Sequence, residues 1–256
     1  MPDREFRIVH ISDTHISKYG MFLPDMLDGC IRLVNGLDPQ PDVMIHTGDL
    51  TDHGILMDYE MAVDKMEEFE PEIIYVPGNH DERNYGDSLF REMVSPVDVL
   101  TSVGRTVVLT LGSAIPDSDY GRLGRGRQEL IRQKLKGFGE RTLKVVAFHH
   151  HLIPVPFAGR EKDILEDAGD VLRIITEAKV NMVLMGHRHV RNAIMVGGTL
   201  LVNAGTVSCF RTRGRLGNSF NVIDVYSDGS VEVNEVSIPS GEERSIGRFK
   251  LLSESA

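Results

Sequence analysis

Short apolar runs, each closed by a polar cluster, recur along the chain as "FRIVHISD", "DVMIHTGD", "EIIYVPGNHD", "KVVAFHHH" and "VNMVLMGHRH". Runs this short, rich in Val and Ile and bounded by Gly, Asn or Asp, predict buried strands. The stretches Phe22 to Asn35, Leu56 to Phe69, Gln128 to Phe138 and Asp163 to Ala178 between them predict helices. In the last, Ile164, Ala168, Val171, Leu172 and Ile175 recur at helical spacing on one face. Strands alternating with helices imply a layered α/β fold. From about residue 198 the pattern turns β-rich, through "GTLLVNAGTV" and "SFNVIDVYSDGSVEVNEVSI". The "SDGS" between alternating runs signals a hairpin, and this tail is expected to belong to a second sheet packed on the first. No Pro/Ser-rich linker and no repeat of fixed period interrupts the sequence, so one domain spanning 1–256 is expected.

A hydrophobic fraction of 41% and a charged fraction of 26% are those of a folding chain, which excludes a disordered or low-complexity protein. The formal net charge of -10 argues against a nucleic-acid backbone binder, whose affinity rests on Lys and Arg. It leaves room for a small anionic substrate, because bound cations reverse the local sign inside an acidic site. Cys30 and Cys209 make no disulfide framework and no CxxC pair, which suits a reducing compartment. The opening "MPDREFRIVHISD" reaches a strand without a long apolar stretch, and no run has the length of a membrane span. A soluble cytoplasmic protein without signal peptide or membrane association is expected; self-association is left open.

What closes the strands carries the chemistry. Asp13 and His15, Asp49, Asn79 and His80, the cluster His149 to His151, and His187 with His189 each follow a different run. In α/β sheets ligands bind outside the carboxyl ends of the strands, so these groups are expected on one rim. Carboxylate, imidazole and amide oxygen suit divalent or trivalent metals, and no thiolate spacing suggests structural zinc. Two ions in one site need a bridging ligand. Asp49 is the candidate, because Gly48 before it permits a sharp turn.

The series "SDTH", "TGDLTD", "PGNHDE", "FHHHLIP" and "MGHRH", in that order from Asp13 to His189, resembles the calcineurin-like metallophosphoesterase superfamily. The resemblance implies a four-layer αββα sandwich of two mixed β-sheets flanked by helices, with a dinuclear metal site. Carried over by position, Asp13, His15, Asp49 and His189 would hold one metal, and Asp49, Asn79, one cluster histidine and His187 the other. The register of "HHHLIP" against related sequences selects His150, with His149 as the alternative. His80 would protonate the leaving group, Asp81 would orient its imidazole, and a metal-bound hydroxide would attack phosphorus. The ions would be divalent or mixed-valence, drawn from Mn, Fe, Zn, Ni and Co. Among relatives the chain looks most like the small cyclic-nucleotide-type phosphodiesterases, which makes a small phosphoester the expected substrate. A phosphomonoesterase or nucleotide pyrophosphohydrolase with the same metals is the alternative, and a non-enzymatic scaffold a more remote one.

Of the remaining polar residues, His10 and His46 lie inside strands and are expected as core or supporting histidines, and His53 at the pocket rim or in solvent. Asp52 is expected as a structural hydrogen-bond acceptor. Arg188 and the loops Tyr120 to Arg127 and Phe210 to Leu216 are candidates for pocket walls, against a plain surface role.

Overall fold

The computed structural model describes residues 2–139, 141–159 and 164–251. A first sheet holds β1 (Arg4–Ile11), β2 (Val43–His46), β3 (Ile73–Tyr75), β10 (Ser219–Tyr226), β11 (Ser230–Ser237) and β12 (Glu243–Lys250), in the order β12-β11-β10-β1-β2-β3. A second holds β4 (Leu100–Val103), β5 (Thr106–Thr110), β6 (Leu143–Ala147), β7 (Met182–Met185), β8 (Asn192–Val196) and β9 (Thr199–Asn203), in the order β4-β5-β6-β7-β9-β8. In the first, β1, β2 and β3 run parallel while β10, β11 and β12 are antiparallel. In the second, β5, β6, β7 and β9 run parallel with antiparallel edges β4 and β8.

Alternation along each strand decides which layer a side chain enters. Ile8, Ile45, Val145, Leu184 and Val202 form one cluster between the sheets. Their neighbours Val9, Met44, Val146 and Val183 point outward, under the helices. Helix α1 (Pro24–Asn35) starts with Pro in its first turn and buries Leu27, Cys30, Ile31 and Val34 on one stripe over the first sheet. Helix α2 (Leu56–Met66) covers the same face through Ala62 and Met66. On the second sheet lie α4 (Gly124–Leu135) and α5 (Ala168–Glu177), the latter through Val171, Ile174 and Ile175. The result is the four-layer αββα sandwich, built of two mixed sheets.

Three predicted helices shorten or shift at their ends, and the fourth begins at Ala168; Asp163 lies outside the described residues. Helix α3 (Gly86–Met93) and the pair β4 and β5 were not anticipated, because elements this short carry too little periodicity. One expectation is corrected. The β-rich tail does not make the second sheet: β9 inserts there beside β7, but β10, β11 and β12 extend the first sheet from β1. Hairpin-linked strands must stay adjacent, but local pattern cannot say which free edge they join. Here β2 and β3 occupy one side of β1 and leave the other open.

Candidate metal centre

The segments beyond β1, β2, β3, β6 and β7 meet at one end of the sandwich. After β1 the chain stays beside the segment following β2: the amides of Asp13 and His15 donate to the carbonyls of Gly48 and Asp49, each at 2.9 Å. To aim its side chains the backbone turns left-handed, with φ of 54° at Asp13, 49° at His15, 54° at Asp49, 79° at His187 and 55° at His189. Each such non-glycine residue costs about 1–2 kcal/mol, a strain that concentrates at functional sites. Glycine is needed where two loops touch. A Cβ on Gly78 would stand 2.2 Å from the amide nitrogen and Oδ1 of Asp49, and one on Gly186 would stand 1.9 Å from Ser12 Oγ.

Two donor sets converge through one carboxylate. In the first, His15 Nε2 lies 3.1 Å from His189 Nε2 and 3.6 Å from Asp49 Oδ2, and Asp13 Oδ1 lies 3.3 Å from His189 Nε2. In the second, His149 Nε2 lies 3.4 Å from Asp49 Oδ2 and 3.1 Å from Asn79 Oδ1, which is 3.0 Å from His187 Nδ1. Asp49 Oδ2 belongs to both, while its Oδ1 accepts from the His80 amide at 2.8 Å.

The rings are oriented from behind. His15 Nδ1–H donates to Asp52 Oδ1 (3.1 Å), His149 Nδ1–H to the Thr47 carbonyl (2.7 Å) and His189 Nδ1–H to the Arg211 carbonyl (2.5 Å). Each bond leaves the Nε2 lone pair facing the centre, the usual arrangement for metal-binding imidazoles. The Asn79 amide donates Nδ2–H to Asp119 (3.3 Å), which turns its Oδ1 inward.

The residues fit a pair of cations. Donor atoms bound about 2.0–2.2 Å from one ion lie about 3–4 Å from each other, the spacing seen here, and the buried Asp13 Oδ1 has no hydrogen-bond partner. The electrostatics agree. Burial alone would depress His149 and His189, but Asp49 and Asp13 hold His149 up at about 9, and Asp13 holds His189 up at about 10. The carboxylates thus demand two positive charges, which bound metals would supply in place of protons. His187 is buried among other imidazoles and pushed well below its ordinary value, so it is a neutral donor.

Two positional expectations change. His149, not His150, enters the donor set. Val145 and Ala147 face the inter-sheet core while Val146 and Phe148 face the helices, so strand parity carries His149 inward and His150 away. There His150 Nδ1 meets Ser113 Oγ at 2.9 Å, and burial keeps the ring neutral. The second change concerns His80. Asp81 does not touch that ring; its carboxylate accepts from the amides of Leu50, Thr51 and Gly78 and from Thr51 Oγ1, clamping the β2 and β3 loops together. It is Asp52 that orients His80: Nδ1–H donates to the Asp52 carbonyl at 2.7 Å and stands 3.2 Å from Asp52 Oδ1. Burial lowers the proton affinity of His80, but Asp49 and Asp52 outweigh it and leave the pKa raised. The sequence had marked Asp52 only as a structural hydrogen-bond acceptor, and His15 and His80 are the rings it serves. His10 and His46 support the loops from below, through Thr47 Oγ1 and Thr14 Oγ1, each at 3.0 Å.

Above the donors opens a cavity of about 750 Å³, lined by His15, Asp49, Asn79, His80, His187 and His189 on its floor. Its walls include His53, Tyr120, Arg188, Arg211 and Arg213, so both loops suspected as walls contribute, though Gly121 to Arg127 do not.

The family model for calcineurin-like phosphoesterases matches residues 6–191. The chain belongs to that family. It is a hydrolytic metallophosphoesterase, and calcineurin-like phosphoesterases use a dinuclear metal centre. The chain is 28% identical to a protein of Mycobacterium tuberculosis (strain CDC 1551 / Oshkosh) named cAMP/cGMP dual specificity phosphodiesterase MT0825, over 97% of this chain and 84% of that one. It is 27% identical to a probable cyclic nucleotide phosphodiesterase of Rhodococcus erythropolis, over 86% and 80%. The fold is shared with purple acid phosphatase PPD1 from yellow lupin, at a TM-score of 0.75 and 16% identity; 94% of this chain aligns, over about half (52%) of the lupin chain.

Proposed function

We propose that this calcineurin-like phosphoesterase hydrolyses small phosphodiesters, cyclic nucleotides among them. The observation that carries the reading is Asp49 Oδ2 shared by two donor sets beneath a pocket that His80 also lines. Asp13, His15, Asp49 and His189 would hold one cation, and Asp49, Asn79, His149 and His187 the other. When bound, the cations neutralise the phosphoryl oxygens and acidify water for attack at neutral pH. His80 keeps Nδ1–H on the Asp52 carbonyl, which leaves Nε2 to carry a proton to the departing oxygen. The Arg83 guanidinium, 3.2 Å from His80 Nδ1, is itself held by Asp119. A departing alkoxide is the poor leaving group that most needs this acid, and a diester supplies one. The names borne by relatives of 27–28% identity support the same substrate class.

Nitrogen and oxygen donors of this mix accept Mn, Fe, Zn, Ni or Co. A cytoplasmic location is supported by two buried free cysteines, Cys30 and Cys209. Among the described residues no helix is long and apolar enough to cross a membrane. The test is turnover by metal-loaded protein of bis(p-nitrophenyl) phosphate, p-nitrophenyl phosphate and 3′,5′-cyclic AMP, with metal content measured alongside. The diesters are expected to give the higher kcat/KM, with two metal equivalents per chain. A monoester turned over ten times faster, with cyclic AMP intact, would overturn the phosphodiesterase reading.

A further inference from the structure

The two donor sets are backed by different parts of the chain. Between β9 and β10 the chain crosses from the second sheet to the first, and this segment lies beyond the residues 6–191 that the family model matches. It is pinned along its length. The Ala204 amide donates to the Met185 carbonyl at 2.9 Å and the Phe210 amide to the Met21 carbonyl at 2.9 Å. The Thr206 carbonyl accepts from the Ser219 amide at 3.0 Å and the Ser208 carbonyl from the Leu23 amide at 2.7 Å. Val207 is buried in the apolar cluster that α1 covers.

Three successive carbonyls of the loop after β1 accept from this segment. The Val207 amide donates to Ser12 at 3.1 Å, the Thr206 hydroxyl to Asp13 at 2.6 Å and the Ser208 hydroxyl to Thr14 at 2.7 Å. Thr206 Oγ1 in turn accepts from the Cys209 amide at 2.9 Å, so this buried hydroxyl is engaged as both donor and acceptor. Asp13 is thereby held from two sides, since its own amide donates to the Gly48 carbonyl at 2.9 Å. Its left-handed φ of 54° is a conformation that persists only where the surroundings over-determine it.

The side chain depends on that backbone. Asp13 Oδ2 accepts from the His187 amide at 3.1 Å, which leaves Oδ1 as the oxygen that faces His189 Nε2, 3.3 Å away. A rotation of the Asp13 backbone would swing that oxygen out of the donor set. The same segment also orients His189, whose Nδ1–H donates to the Arg211 carbonyl at 2.5 Å. Cys209 closes the wall from this side, with Sγ within 4.8 Å of a ring nitrogen of His15 and of His189. The other set is oriented from elsewhere, His149 by the Thr47 carbonyl and Asn79 by Asp119. Among the described residues no hydrogen bond joins residues 204–211 to Asn79, His149 or His187.

Taking the two cation sites as assigned under the proposed function, we propose that Thr206, supported by Ser208, is a positioning residue for one cation alone, the one held by Asp13, His15, Asp49 and His189. Its hydroxyl fixes the Asp13 backbone in the conformation that presents Oδ1. The affinities of the two cations are then set by separate parts of the chain. Without the hydroxyl the Asp13 carbonyl stays buried with no donor, and relaxation of the strained backbone is the route by which it finds another.

The test titrates Co(II) into metal-free protein in two backgrounds, following the visible cobalt spectrum and the heat of binding. Asn79→Ala keeps the set that contains Asp13, and Asp13→Ala keeps the set that contains Asn79. In the Asn79→Ala protein, Thr206→Val is expected to weaken Co(II) binding about 10- to 100-fold, the usual effect of losing a partner behind a metal ligand. Thr206→Ser, which retains the hydroxyl, should restore the affinity to within about threefold. In the Asp13→Ala protein, Thr206→Val should change the affinity by less than about threefold. Ser208→Ala, a smaller truncation, should weaken the same cation as Thr206→Val and serves as the deciding variant if Thr206→Val fails to fold. Equal weakening in both backgrounds, or an unchanged affinity in the Asn79→Ala protein, overturns the positioning role. Two Co(II) ions bound by the Asn79→Ala protein would instead overturn the assignment of Asn79 to its set; a Thr206→Val loss rescued by Thr206→Ser would still leave the positioning role standing.

Discussion

Ile8, Ile45 and Val145 sit within strands between the two sheets, each at 0% exposure, while Asp13, Asp49 and His149, just beyond the ends of the same strands, are 0%, 2% and 0% exposed. Equal burial means opposite things in the two regions. Between the sheets these side chains belong to an apolar cluster, and each contributes about 1.5–3 kcal/mol by leaving water. At the rim, burial of charge is unfavourable unless it is paired, and the backbone adds left-handed strain at Asp13 and Asp49. The interior tolerates the rim because the rim follows directly from strands that the interior already holds in register. A site so placed is preorganised: its donors face one another before any ligand arrives.

The sharpest break of this contrast is at the shared carboxylate. Asp49→Asn should lower turnover by about 10³-fold or more and release both metals, because one atom serves two donor sets; metal analysis and kcat on purified protein check it, and a variant retaining two equivalents would show that Asp49 does not bridge. His80→Ala should cost roughly 10²- to 10⁴-fold in turnover with metal content unchanged, since the ring, though packed edge-on against His15, spends its Nδ1–H on Asp52 and stands outside both donor sets. Emptying of the site by that substitution would place His80 among the ligands.

The reverse experiment is in the interior. Ile8→Ala should destabilise by about 2–4 kcal/mol, read by denaturant unfolding, while metal content per folded molecule stays that of the parent. If metal uptake fell in proportion, the two regions would not be separable.

The smallest effect is a pH-dependent one at the edge of the rim. Glu82, 6% exposed, has no metal-facing role, and burial drives its carboxyl up to about 7 from an ordinary 4.5. The folded state then binds this proton more tightly than the unfolded state, so the contribution is most favourable below about pH 4.5 and is lost as pH rises to about 7. Glu82→Gln should therefore be the more stable protein at pH 8 by about 1–3 kcal/mol, with the gap closing toward pH 4.5. An unfolding free-energy difference flat across that range would show that Glu82 reaches water.

Much of this was legible in order and type along the chain. Val- and Ile-rich runs closed by Asp, Asn and His fixed the central strands and placed their polar ends on one rim, because strand length and composition are local properties. The two donor sets came instead from the family resemblance that the five motif blocks carry. Local pattern could not tell the faces of a doubly buried strand apart, since Val145 and Val146 are both apolar. That is why His149 and His150 could be separated only once the first sheet lay against one face of the second. Nor could sequence adjacency tell what orients His80: Asp81 is its neighbour in the chain, yet Asp52 reaches it from another loop. The edge of β1 that takes β10, and the way a turn beyond β9 brings Arg211 against His189, were likewise decided by tertiary packing. Hydrophobic periodicity specifies what is buried, whereas which buried groups meet depends on contacts between residues far apart in the chain.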